Sequence, residues 1–247
     1  MKNILFVIEN LGGGGAERVL VNLVNHMNKA KYDVTVVTLF EKGVNSDNLE
    51  SSVKHINLNR KRFKGMKFIY KFLPKKMLYS LFIKDIVDEN KIDLIVAYMT
   101  GVPTFVCVGA KIPKIAWIHG EFFRNDKLNL LGLRRIYNKF DAVAGVSEYV
   151  CNSAKKNIKF KAEPIVIYNV NDTNKIISSA NENSELQDSN KINIITVGCL
   201  EMTKGFDRLL NVCKKLNEEK FEYFLTILGE GIERKNLEKQ IEDYGLS

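Results

Sequence analysis

Eight runs of strand length, continuous rather than alternating in their apolar character, constrain this chain most: NILFVI (3–8), DVTVVTL (33–39), DLIVAY (93–98), KIAWIH (114–119), DAVAGV (141–146), PIVIY (164–168), NIITVG (193–198) and YFLTIL (223–228). A strand with one wet face alternates apolar and polar residues, whereas a strand covered on both faces stays apolar. Helical patterns stand between the runs, so the sequence predicts an α/β architecture of parallel strands with helices on each side.

The stretch NDTNKIISSANENSELQDSNK, from Asn171 to Lys191, is polar and nearly free of large apolar residues, and after it the β-α-β-α pattern restarts. The organisation expected is a domain over 1–172, a linker over 173–190 and a second domain over 191–247. Two βα units do not close a doubly wound sheet, so the second domain is expected to be incomplete and the chain truncated within it.

Cys107, Cys151, Cys199 and Cys213 are scattered without metal-ligand spacing, which predicts reduced thiols and no metal site. MKNILFVIEN meets Glu9 and Asn10 before a signal-peptide core could form. The uncharged stretch from Leu94 to Ala110 is broken by Thr100, Gly101 and Pro103, and so reads as strand, turn and helix rather than a membrane span. A cytoplasmic protein is expected.

Three segments could carry chemistry. In ENLGGGGAERVL, Glu9 to Leu20, glycines join a strand to a helix and offer backbone N–H groups to an anion. The spacing fails the dinucleotide fingerprint, because Glu17 stands where the third glycine belongs, and no phosphate-loop Gly-Lys-Ser/Thr follows. A plain turn and a ligand-facing loop both fit. In WIHGEFF, His119 ends a strand, where open parallel sheets hold ligands, although a histidine that only caps the strand also fits. In VGCLEMTKGFDRLL, Lys204 and Gly205 open a helix, placing an ammonium near its positive end, and LGEGIERKNLEK repeats the strand-glycine-helix design with Gly229 and Gly231.

The excess charge is local. The formal net charge is +8, and the segment from Asn59 to Lys84 holds nine Lys or Arg and no acid. Arg60, Lys61, Arg62, Lys64, Lys67, Lys71, Lys75 and Lys76 interleave there with aromatic residues, and Pro74 divides two helical pieces. Such a segment suits the interface of an anionic membrane, and no nucleic-acid-binding module accompanies it. A solvated helix face is the other reading.

GGAERVL, HG, GVSE, VIYNVND, TVGCLEMTKGFDRLL and LGEGIERKNLEK, in that order, resemble glycosyltransferase family 4, retaining enzymes of GT-B fold that build capsular, exo- and lipopolysaccharides. The resemblance runs from Met1 almost to Ser247. It implies two Rossmann-like doubly wound domains, the first on the acceptor side and the second binding a UDP- or GDP-sugar. Gly14 and Gly15, with Glu17 beside them, would approach the donor; His119 matches the family histidine directed at the donor sugar; Lys204 matches the lysine that neutralises the leaving diphosphate. Ser147 and Glu148 match a motif beside the cleft, Asn169 falls near the hinge, and Gly198, Cys199, Gly229 and Gly231 line the donor side. The activity implied is hexosyl transfer with retention to a polyprenyl-linked glycan at the inner face of the membrane, without metal or cofactor.

Two departures stand out. The family's Gly-Arg-Leu is Gly198-Cys199-Leu200 here, and its paired glutamates, eight positions apart, would lie beyond Ser247. Glu9 with Glu17 and Glu230 with Glu238 repeat that spacing at the wrong places in the order. An inactive remnant, or an acceptor- or membrane-binding module, is the alternative expectation.

Overall fold

The computed structural model describes residues 1–40, 43–58, 75–121, 130–181 and 191–246, side chains excepted at 75–78, 130 and 131. Two compact units divide them, Met1–Ser178 and Ser179–Ser247.

The first unit alternates strands and helices: β1 (Lys2–Ile8), α1 (Gly15–His26), β2 (Tyr32–Thr38), β3 (Lys54–Asn57), α2 (Lys75–Glu89), β4 (Leu94–Tyr98), α3 (Val102–Cys107), β5 (Lys114–Ile118), α4 (Leu130–Tyr137), β6 (Ala142–Gly145), α5 (Glu148–Asn157), β7 (Ile165–Val166) and α6 (Thr173–Ala180). Its strands form one sheet in the order β3-β2-β1-β4-β5-β6-β7, and all neighbours run parallel.

The continuous apolar runs have the reason expected of them. Successive side chains of β1 enter opposite cores: Leu5 and Val7 pack with Ile83 and Ile86 of α2, while Ile4, Phe6 and Ile8 pack with Leu20, Val21 and Val24 of α1. Each residue from Ile4 to Ile8 is thus removed from water on one face or the other, at roughly 1.5–3 kcal/mol for a fully buried aliphatic or aromatic side chain. The stretch from Leu94 to Ala110 divides into β4 and α3, as its interrupting residues require.

β3 is the strand the apolar runs do not announce. Its sequence is KHIN, among the described residues it pairs with β2 alone, and none of its residues is fully buried. An edge strand with one neighbour needs no continuous apolar run.

The order of strands reverses between β1 and β4. From β1 the chain moves outward through β2 and β3, and from β4 it moves outward the other way. In open parallel sheets the crevice at this switch, beyond the carboxyl ends of the two strands, is where ligands sit.

The second unit contains β8 (Ile192–Val197), α7 (Phe206–Glu218), β9 (Tyr223–Leu228) and α8 (Arg234–Asp243). Its two strands pair in parallel, and Leu200, Phe206, Leu210 and Leu237 form its core. Ile192, Ile195, Val197 and Leu228 remain exposed. Helix α6, which lies in the stretch read as linker, has no buried side chain.

Of the basic segment, Arg60, Lys61, Arg62, Lys64, Lys67 and Lys71 lie outside the described residues; Lys75 and Lys76 open α2, and their side chains lie outside as well. No helix among the described residues is long and apolar enough to cross a membrane.

Candidate functional site

The carboxyl ends of β1, β4 and β5 bring together residues far apart in sequence. The Glu9 carboxylate, just beyond β1, lies against Gly101 beyond β4, close enough that a Cβ at Gly101 would stand 3.4 Å from Glu9 Oε1. Two residues before Gly101, Met99 has φ 148°, a strained value for a residue other than glycine. Tyr98 ends β4, Trp117 stands one residue before the end of β5, and His119 follows it.

These three rings adjoin in a definite order. Ring centroids are 5.1 Å apart for Trp117 and Tyr98, 4.2 Å for Tyr98 and His119, and 5.9 Å for Trp117 and His119, so Tyr98 is the middle ring. Tyr98 Oη, Trp117 Nε1 and His119 Nε2 are all buried and have no hydrogen-bond partner among the described residues. Buried polar atoms in native proteins are nearly always paired, so three orphans in one cluster mark a place the fold alone does not complete.

The cluster carries no positive charge at neutral pH. Burial lowers the His119 pKa from 6.5 to about 4, which leaves the imidazole neutral. Burial first, and the Glu17 charge second, push the Tyr98 phenol above its usual range, so it keeps its proton and can donate.

The glycine loop has an unexpected form. None of Gly12, Gly13, Gly14 and Gly15 has a positive φ, and Gly14 caps α1 in extended conformation. A Cβ at Gly13 or Gly15 would meet nothing within 4 Å, so neither the backbone nor the packing requires glycine there. The bare backbone there faces open space. At Gly14 the neighbour is Glu17, whose Oε2 would stand 2.2 Å from an added Cβ. A carboxylate of the chain itself therefore occupies the first turn of α1, where an anion would otherwise be favoured.

A second loop holds the first in place. Asn45 N–H donates to the Leu11 carbonyl at 2.9 Å, and the Asn45 side-chain amide donates to the Gly12 carbonyl. Gly43 (φ 75°) lies so close that a Cβ would be 2.2 Å from the Leu11 carbonyl carbon. Sequence reasoning did not select Gly43 or Asn45.

Ser147 and Glu148 begin α5. Ser147 Oγ accepts the Val150 N–H at 3.2 Å as the N-cap, and Glu148 is exposed in the first turn. Next to them, the Tyr149 phenol pairs with Glu121 from the loop after β5, which raises its pKa. Asn169 is exposed between β7 and α6.

In the second unit, the glycines after the strands serve packing. A Cβ at Gly229 would be 1.9 Å from the Gly198 carbonyl oxygen, and one at Gly231 would be 2.3 Å from that of Leu200. Leu200 N–H donates to Glu230 O at 2.9 Å, and Glu233 N–H to Leu200 O at 3.0 Å, so two loops run in contact. Cys199 and Lys204 are exposed. Lys204 closes a short 3-10 turn, Met202–Lys204, and Gly205, with φ 71°, starts α7. Glu230 and Glu238 both bind Arg234, Glu238 at 2.8 Å, and this surface ion triad accounts for their spacing.

A family model described as Glycosyltransferase Family 4 matches residues 13–175, and one described as Glycosyl transferases group 1 matches residues 178–247. A Haemophilus influenzae protein, named only as an uncharacterized glycosyltransferase, is 31% identical over 255 residues, covering 96% of this chain and 64% of the relative. The Campylobacter jejuni GalNAc-alpha-(1->4)-GalNAc-alpha-(1->3)-diNAcBac-PP-undecaprenol alpha-1,4-N-acetyl-D-galactosaminyltransferase is 27% identical over 256 residues, covering 100% of this chain and 66% of the relative. The chain thus spans about two thirds of the length of these relatives. Among solved structures, a Staphylococcus aureus TarM variant in complex with Fondaparinux, alpha-GlcNAc-glycerol and UDP superposes with TM-score 0.72 at 13% identity, over 100% of this chain and 76% of the other. A glycosyltransferase from Rickettsia africae does so with TM-score 0.65 at 14% identity, over 99% of this chain and 66% of the other. The expected GT-B type of α/β fold is borne out by these neighbours.

Proposed function

The chain belongs to glycosyltransferase family 4, and we propose that it transfers a hexosyl unit from a nucleoside-diphosphate sugar to a lipid-linked glycan, with retention, in the assembly of a surface polysaccharide. The observation that carries this reading is that family models match both units, residues 13–175 and 178–247. Two further observations support it. The Campylobacter relative is named for an undecaprenyl-diphosphate-linked glycan, and the TarM structure holds UDP.

In this reading His119 contacts the donor sugar as a neutral group, and Lys204 stabilises the charge that develops on the leaving diphosphate. The bare backbone of Gly13 and Gly15 lets a ligand come close. Gly14 is less suited to a phosphate, because Glu17 stands beside it. No metal or cofactor is assigned a part. The basic residues from Arg60 to Lys76 dock the protein at an anionic membrane, each contributing about 1 kcal/mol near the surface.

One assay tests the whole reading. Radiolabelled UDP-GalNAc, UDP-GlcNAc or a GDP-hexose is supplied with an undecaprenyl-diphosphate-linked glycan held in anionic or neutral vesicles. Label should pass to the lipid fraction with an α linkage, faster on anionic vesicles. Equal rates on both vesicles remove the membrane part, a β linkage removes retention, and glycan binding without transfer from any donor leaves an acceptor-binding module instead.

A further inference from the structure

The three orphan atoms described above differ in what they can do. An indole N–H only donates, a phenol both donates and accepts, and a neutral imidazole nitrogen donates or accepts according to its tautomer. Only one directed sequence satisfies all three internally: Trp117 Nε1–H to Tyr98 Oη, and Tyr98 O–H to His119 Nε2. The ring order agrees with it, because Tyr98 is the middle ring, adjoining both Trp117 and His119. If Nε2 carried the proton instead, the cluster would hold three donors and a single acceptor.

We propose that Tyr98 is a positioning residue for His119, supported by Trp117: the relay Trp117 to Tyr98 to His119 fixes the imidazole as its Nδ1–H tautomer. The relay completes when the rings turn toward one another as ligand binds, since catalytic hydrogen bonds are commonly loose in free enzymes and tighten in the complex. Burial matches the roles. Tyr98 is 0% exposed and Trp117 8%, whereas His119 is only partly buried, so the fixed tautomer presents its Nδ1–H from the layer nearer solvent. The Nδ1–H is an uncharged donor, and the charge of Glu17, felt at Tyr98, disfavours an anion beside it. On the sugar-transfer reading, the group that His119 meets is a donor-sugar hydroxyl; the tautomer does not rest on that reading.

The test separates the two. In 15N-labelled full chain, long-range 1H–15N spectra read the His119 tautomer directly, and Trp117, the sole tryptophan, gives one indole cross-peak. Spectra are recorded alone and with UDP-GlcNAc or UDP-GalNAc. Wild type with ligand should show Nδ1 protonated and Nε2 bare, and Tyr98→Phe should shift the population toward Nε2–H. Trp117→Phe should weaken but not abolish the preference, which guards against a Tyr98 variant that fails to fold. In the transfer assay Tyr98→Phe should lower kcat by on the order of five-fold, the worth of one hydrogen bond, with KM little changed. An Nε2–H tautomer in liganded wild type, or a tautomer unmoved in Tyr98→Phe, overturns the relay. Expected tautomers without any sugar transfer would leave the relay standing and remove the sugar-transfer reading.

Discussion

Tyr98 and His119 meet ring against ring, 4.2 Å between centroids, although 20 residues and a helix separate them in the chain. Parallel pairing of β4 with β5, Tyr98 opposite Trp117, is what brings them to one edge.

Stability should fall in acid because of His119. Burial lowers its folded pKa from 6.5 to about 4, so below about 6.5 the unfolded chain takes a proton that the folded chain refuses. The contribution is complete above about pH 6.5, declines as pH falls toward 4, and amounts to at most about 3 kcal/mol. Urea unfolding at about pH 7 and about pH 4.5 checks this. Wild type should lose more stability than His119→Gln, and an equal loss in both would show that His119 is not the group responsible.

Two glycines of the site should respond in opposite ways. Gly43→Ala forces a Cβ against Leu11 at positive φ and should cost more than about 1 kcal/mol of unfolding free energy. Gly15→Ala meets open space at the first turn of α1 and should change stability by less than about 0.5 kcal/mol while weakening ligand binding. Thermal melts and UDP-sugar titrations of both variants decide it; a Gly15→Ala protein that binds as wild type would leave the bare backbone without a use.

Lys204→Ala should leave stability nearly unchanged, within about 0.5 kcal/mol, because the side chain is exposed. Its affinity for UDP should fall on the order of tenfold through loss of a charge-assisted contact. Calorimetric titration with UDP measures this, and an unaltered Kd would remove Lys204 from the diphosphate.

The strands were legible because burial on both faces writes itself as an unbroken apolar run, as in NILFVI and DLIVAY. β3 was not, since KHIN lies at an edge and is only half covered. Tyr98 was hidden for a related reason. As the last residue of DLIVAY it reads as one more buried side chain, and its orphan hydroxyl becomes visible only when β5 delivers Trp117 and His119 beside it. A polar-tipped ring at the end of a buried run was the signal available. Gly229 and Gly231 carried the opposite ambiguity, because a loop crossing a neighbouring carbonyl needs glycine as much as a loop crossing a ligand does.

The central strand has a consequence for how the chain assembles. β1 pairs with β2 across the single crossover helix α1, Ile4 beside Val34, but its other edge waits for β4, where Ile4 meets Leu94. During synthesis β1 therefore keeps one row of backbone groups and one apolar flank open until some ninety further residues have emerged, a non-local closure that slows folding. While it waits, that open edge is an aggregation hazard of the nascent chain.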